Sequence, residues 1–280
     1  MRTRLLLAAA VGAACATAVS AAGDGGPSPG VVQGGEGLAR GSVRYVAIPT
    51  GQNTLVETIS RRTGRVLRWA VVDGNYGIPQ VAYDGSTDGL SRDGRTLVLG
   101  DVTTSPQLKR SSSFAVVDVR RTQLRGTITL QGDFSFDALS PGARMLYLIE
   151  HVSADNPRKY QVRAYDLGAR RLLERVVVDK SSREDVMQGT PFTRATSSDG
   201  RWVYTLYGGG EYPFVHALDT QSANAKCIDL PKSWNRLDAG GLRLRLSTNG
   251  TLLVQHRSGG RPLAVIDVQT LRILNLVRNP

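Results

Sequence analysis

The chain has 280 residues, of which 41% are hydrophobic and 21% charged, and its formal charge is +11. That hydrophobic share supplies a core and excludes an extended disordered polymer, while the cationic excess favours anionic partners such as envelope polymers or lipid headgroups. Only five of the 35 basic residues are Lys, so the positive charge is carried almost entirely by Arg.

Met1-Arg2-Thr3-Arg4 is a basic start, Leu5 to Ala14 an apolar run, and Ser20-Ala21-Ala22 a set of small residues before Gly23. Together they predict a signal peptide over 1–22 and an exported protein without a transmembrane span in its mature form. Ala13-Ala14-Cys15 leaves lipidation at Cys15 as the alternative, although Gly12 stands where a lipobox usually carries Leu. Residues 23–41, rich in Gly, Pro and Ser, predict a flexible tether. Within it Gly26-Pro27-Ser28-Pro29-Gly30 matches the nucleophile elbow of serine hydrolases by letters alone. An elbow needs a strand before the Ser and a helix after it, which two prolines do not supply. Cys227 has no partner once Cys15 is removed, so no disulfide is expected.

From Ser42 to Pro280 the chain reads as short strands in a repeat. Ser91-Arg92-Asp93-Gly94 returns as Ser140-Pro141-Gly142-Ala143, Ser197-Ser198-Asp199-Gly200 and Ser247-Thr248-Asn249-Gly250, each followed by an apolar run. A strand ending in Asp follows each one, at Asp118, Asp166, Asp219 and Asp267, with spacings of 48, 53 and 48 residues. A period of about 40–50 residues built from short strands is the mark of a propeller blade. Blade one begins at Arg44 and has Ser60 where the others have Asp. Its inner strand is not evident and is expected from the tether near Val31-Val32. Blades two to five are expected over Gly89–Leu130, Phe134–Val178, Phe192–Leu230 and Gly241–Val277. The strand-final aspartates are expected to hold the hairpin turns through bonds from backbone N–H groups.

The pattern Ser-x-Asp-Gly, strand, strand ending in Asp, then a further strand resembles the bacterial YVTN-type and WD-repeat-like β-propellers. The resemblance covers 42–280 and implies an all-β propeller of four-stranded blades around a channel. Five blades are counted; six or seven are common in such families. The fold hosts many functions and implies no activity by itself.

Propeller geometry gathers the strand 1–2 and 3–4 turns on one face, where they are short. The long segments Asp73–Asp88, Asp101–Ser113, Glu150–Lys159, Asp179–Thr190, Gly208–Pro213 and Pro231–Gly240 are expected on the other. The long-loop face nominates Tyr76, Tyr83, Glu150, His151, Tyr212 and Trp234 as ligand-binding residues, since aromatics beside polar groups suit a sugar or peptide platform. The short-turn face nominates Arg61, Arg62, Arg120, Arg121, Arg170 and Arg171 as a cationic ring for an anionic surface.

His151, His216 and His256 lie far apart with no metal-binding spacing, so no metal and no cofactor are expected. The expectation is therefore an exported, monomeric, non-catalytic propeller that binds a protein, glycan or anionic envelope component; nucleic acid is not expected. The alternative is a glycan hydrolase using channel carboxylates, with Asp88 and Asp137 as its candidates.

Overall fold

The computed structural model describes residues 29–32, 37–102, 108–180 and 186–278. The expected leader, Cys15, much of the expected tether, and parts of the Asp101–Ser113 and Asp179–Thr190 segments lie outside them.

The fold is an all-β propeller of five antiparallel sheets, each built on four sequential strands. A short strand β1 (Val31–Val32) precedes blade one, which comprises β2 (Leu38–Arg40), β3 (Val43–Pro49), β4 (Asn53–Ser60) and β5 (Val66–Asp73). Blade two is β6 (Tyr76–Pro79), β7 (Thr96–Asp101), β8 (Ser111–Asp118) and β9 (Gln123–Gln131). Blade three is β10 (Asp133–Leu139), β11 (Met145–His151), β12 (Lys159–Asp166) and β13 (Arg171–Val176), with β14 (Met187–Gln188) added beside β12. Blade four is β15 (Thr190–Thr196), β16 (Trp202–Gly208), β17 (Phe214–Asp219) and β18 (Asn224–Asp229). Blade five is β19 (Leu242–Leu246), β20 (Thr251–His256), β21 (Ala264–Asp267) and β22 (Ile273–Leu276).

The two repeated sequence signatures are the two hairpin turns. In the first, the Ser91 hydroxyl donates to Asp93 at 2.6 Å and accepts from Thr96 N–H at 3.0 Å, while Asp93 also accepts from Arg95 N–H. Ser197 and Asp199 repeat this arrangement, and Ser140 accepts from Met145 N–H at 2.9 Å. In the second, one carboxylate oxygen of the strand-final Asp accepts two backbone N–H groups, two and three residues on: Arg120 and Arg121 for Asp118, Gly168 and Ala169 for Asp166. The same pairs are Gln221 and Ser222 for Asp219, and Gln269 and Thr270 for Asp267. Four residues after the signature position the chain turns left-handed in every blade, at Gly64, Thr122, Arg170, Ala223 and Leu271. In blade one, Ser60 Oγ accepts from Thr63 N–H at 3.3 Å, a weaker form of the aspartate's work.

Four apolar clusters hold the blades together. Tyr45, Ala47 and Val56 of blade one meet Ile78, Leu97 and Leu99 of blade two. Blades two and three share Val98, Phe114, Phe134 and Leu148; blades three and four share Tyr147, Tyr160, Tyr207 and Phe214. Blades four and five share Tyr204, Val215, Leu252 and Val254. Among the described residues no fifth cluster joins blade five to blade one.

Two expectations about the first blades change. The inner strand of blade one is Leu38–Arg40, whereas Val31–Val32 pairs with Ile78 and Pro79 of blade two. Gly77 permits that approach, since a Cβ there would lie 2.8 Å from Val31 Cγ2. Blade two begins at Tyr76, well before Gly89. Its inner strand is split: Tyr76 and Gly77 pair with Asp101 and Gly100, and Leu90 pairs with Leu97. Between them Gln80–Asp88 leaves the strand as a plug. Tyr83 N–H donates to Pro191 O of blade four at 2.9 Å, and Arg257 of blade five lies 3.7 Å from Asp84. Gly77 and Pro79 masked this strand in the sequence, because both residues usually weaken one.

Candidate docking face and channel recess

The six nominated arginines occupy the strand 3–4 turns of blades one, two and three, and all are exposed. Among the described residues none has a carboxylate within ion-pair distance. Neighbouring acids are already engaged: Asp118 binds two backbone N–H groups and Arg125 at 2.7 Å, which holds its carboxyl down to about 2. Arg92, Arg95, Arg144 and Arg201 stand in the strand 1–2 turns of the same face, with Arg201 paired to Asp219 at 2.6 Å. The turns therefore present guanidinium groups outward while their carboxylates are spent inward on the backbone.

At the centre of this face lies a recess of about 440 Å³, lined in part by Arg40, Asp88, Arg92, Arg194, Ser197 and Ser198. Arg40 is fixed by donating to the carbonyls of Ser91 and Arg92. Arg194, on β15, donates to Thr205 Oγ1 at 3.0 Å and to both the carboxylate and the backbone carbonyl of Asp137. The Arg194 and Asp137 side chains are 5% and 3% exposed. Asp88 accepts from Gly89 N–H at 2.8 Å. Burial raises its pKa to about 6 despite the opposing pull of Arg194 and that N–H bond. Sequence reasoning missed Arg194; a lone Arg within the apolar Pro191–Ala195 strand was the available signal.

This arrangement bears on the hydrolase alternative. A glycosidase places two carboxylates about 5–10 Å apart on either side of one open cleft. Asp88 lines the recess, but Asp137 is buried under Arg194 and is not part of its wall. Among the described residues no aromatic side chain lines the recess either.

The six long-loop residues do not assemble into one surface. Tyr76 is a core residue of β6, its hydroxyl 2.9 Å from Ser113 Oγ, and Trp234 is 2% exposed with Nε1–H donating to Val277 O at 2.9 Å. Their burial corrects the expectation that they form a ligand platform: each pins a connecting segment to the core. His151 is buried, and burial lowers its pKa. Glu150 is paired with Arg163 at 2.5 Å, Tyr83 belongs to the plug, and Tyr212 is exposed. Among the described residues no group of three His, Cys, Asp or Glu side chains could hold a metal ion, and no helix is long and apolar enough to cross a membrane. Cys227 is a free thiol whose pKa burial pushes up to about 12.

No family model matches the chain, and no curated protein does. Among solved structures it is similar to the dihydro-heme d1 dehydrogenase NirN, with 12% identity and a TM-score of 0.50, over 84% of this chain and 43% of that one. Kuenenia stuttgartiensis hydrazine synthase is similar at 16% identity and a TM-score of 0.47, over 82% of this chain and 61% of that one. TolB from Acinetobacter baumannii gives 11% and 0.43, over 81% of this chain and 49% of that one. The chain thus spans less than two thirds of each. At such identities the likeness is one of fold alone.

Proposed function

We propose that the protein is an exported, non-catalytic β-propeller that docks on an anionic cell-envelope component through its short-turn face. The observation carrying this reading is the set of six exposed arginines at equivalent turns of three consecutive blades, without ion-pair partners among the described residues. Arg92 and the central recess extend the same face. The recurrent Ser-x-Asp-Gly turns and strand-final aspartates support grouping the chain with the YVTN-type, WD-repeat-like propellers. The basic, apolar and small-residue succession over 1–22 supports export with cleavage near Ala22, followed by a tether.

Attraction of this kind is screened within about 8 Å at physiological salt, so binding weakens steeply as salt rises. The test replaces Arg61, Arg62, Arg120, Arg121, Arg170 and Arg171 together by Ser and measures co-sedimentation with phosphatidylglycerol vesicles and with cell-wall fragments. The folded variant is expected to lose most of the salt-sensitive binding on at least one of these supports. A six-fold variant that binds both like the wild type would overturn the reading.

A further inference from the structure

The recess at the centre of the short-turn face draws its cations from three separate blades. Arg40 ends β2, Arg92 stands in the first turn of blade two, and Arg194 lies on β15 of blade four. The plug supplies a further side: held through Tyr83 and Asp84 to Pro191 and Arg257, it brings Ser86, Thr87 and Asp88 into the lining. Two of the guanidinium groups are fixed in place by the protein itself. Arg40 donates to the carbonyls of Ser91 and Arg92, and Arg194 donates to Thr205 Oγ1 and twice to Asp137. A guanidinium has five N–H donors, so these bonds leave Arg40 three and Arg194 two. Arg92, Thr196 and Ser198 line the recess from exposed positions, and no protein acceptor engages their side chains among the described residues. The acids do not cancel this field. Asp137 lies beneath Arg194 and outside the wall, and Asp88 has no Lys or Arg within ion-pair distance among the described residues.

We propose that this recess binds a phosphate ester, the group by which the docked envelope component is recognised; the proposal rests on the anionic-docking reading above for the source of that ester. A carboxylate offers two oxygens in one plane and is satisfied by a single guanidinium fork. A phosphate spreads its oxygens tetrahedrally, and donors converging from blades one, two and four match that spread. The volume of about 440 Å³ exceeds what a phosphate alone fills and lies in the range of small-molecule pockets. Leu38, Val81, Leu90, Leu139 and Val203 complete the lining and suit the carbon skeleton of the esterified alcohol or sugar. Asp88 gives the site a dependence on pH. The charged groups around it are Arg194, Arg40 and Asp137, and burial favours its neutral form. A neutral Asp88 can donate its proton to a phosphate oxygen, whereas the ionised carboxylate repels the anion.

Isothermal titration calorimetry of the purified chain with glycerol 3-phosphate tests this. The ester should bind, inorganic phosphate should bind more weakly, and glucuronate should not bind measurably at the same concentrations. Arg92→Ser should weaken the ester at least about 10-fold, the cost of one bond to a charged group, with Tm unchanged. Ser198→Trp should block the recess. Asp88→Asn should tighten binding at pH 7.5 and match the wild type at pH 5, where the wild-type carboxyl holds its proton; the phosphate's own titration is common to both. The variant lacking the six turn arginines should still bind the soluble ester, so failure of the docking face and failure of the recess are told apart. Cell-wall fragments or phosphatidylglycerol vesicles should displace the ester, the first marking a polymer as its source and the second a lipid headgroup. Glucuronate binding as tightly as glycerol 3-phosphate, an affinity indifferent to both Arg92→Ser and Ser198→Trp, or weaker binding by Asp88→Asn at pH 7.5 would each overturn the proposal. So would an ester that neither support displaces.

Discussion

The junction between blades three and four and the seam between blades five and one use the same strands and the same turns, but among the described residues only the first shares an apolar cluster. At the sealed junction Tyr160 stacks on Tyr207 at 5.2 Å and Tyr207 on Phe214 at 5.3 Å. Nearby, the Arg194–Asp137 pair crosses from one inner strand to the other. Between blades five and one no such cluster is found among the described residues, and on the outer strand of blade one Trp69 and Val71 are exposed. A blade is specified by its turns, which are local and repeated. A junction is specified by alternate side chains on two separate sheets, which the repeat does not dictate. The turns can therefore recur faithfully while the junctions differ.

The contrast predicts where damage will be felt. The largest effect belongs to Arg194→Ala, which strands Asp137 as a buried, unpaired charge and should cost about 3–5 kcal/mol in urea unfolding. An Arg194→Met, Asp137→Leu double variant should recover most of that loss. A single variant that unfolds like the wild type would show that the pair does not brace this junction.

Asp219→Ala comes next, at about 1–2 kcal/mol, because the carboxylate serves two turn N–H groups and Arg201 together. Its pKa is lowered: burial opposes the shift, and the Arg201 bonds and turn N–H groups outweigh it. Its contribution is accordingly full above about pH 4 and lost as pH falls through the depressed value. Thermal melts of variant and wild type should converge in acid; a constant gap would contradict the assignment.

Asp88 should behave in the opposite sense. The folded carboxyl holds its proton up to about pH 6, and the unfolded one releases it near 4. The folded state binds more protons in that window, so Asp88 lowers stability as pH rises through it. Asp88→Asn should raise Tm at pH 8 and leave it unchanged at pH 4. A lower Tm at pH 8 would mean that the carboxylate is needed by Arg194.

The smallest effect belongs to the seam. Trp69→Ser should change the stability of the monomer by no more than about 0.5 kcal/mol, because the side chain buries little within its own chain. A loss comparable to that of Arg194→Ala would mean that the seam is closed by contacts of its own.

The blades were legible because their turns are spelled out in adjacent residues. Ser91 to Gly94 and the run after Asp118 carry their own hydrogen-bond partners, so strand order and the short-turn face followed from the letters. Leu38–Arg40 and Tyr76–Pro79 were not legible. The first is three residues inside a Gly-rich stretch, and the second contains Gly and Pro; both are strands only because a neighbour supplies the pairing. Asp88 and Asp137 were noticed as inner-strand acids, but their unlike settings depend on Arg194, a residue of another blade. Tyr76 and Trp234 misled because an aromatic in a connecting segment has the same letters whether it faces a ligand or the core. The exposed run Val66–Val71 could have been read, since it lacks the polar alternation of the other outer strands.

The plug has a consequence for how the chain reaches its native state. Gln80–Asp88 belongs to the second blade in sequence, yet its partners are Pro191 and Arg257, in the fourth and fifth. During synthesis, amino end first, this segment emerges long before either partner exists. Its closing contacts span a large part of the chain, and such long-range contacts form late. The local hairpins can assemble in order of emergence while the plug waits, and its seating marks the completion of the molecule. A protein cut short after blade three would retain its hairpins and lack the lock.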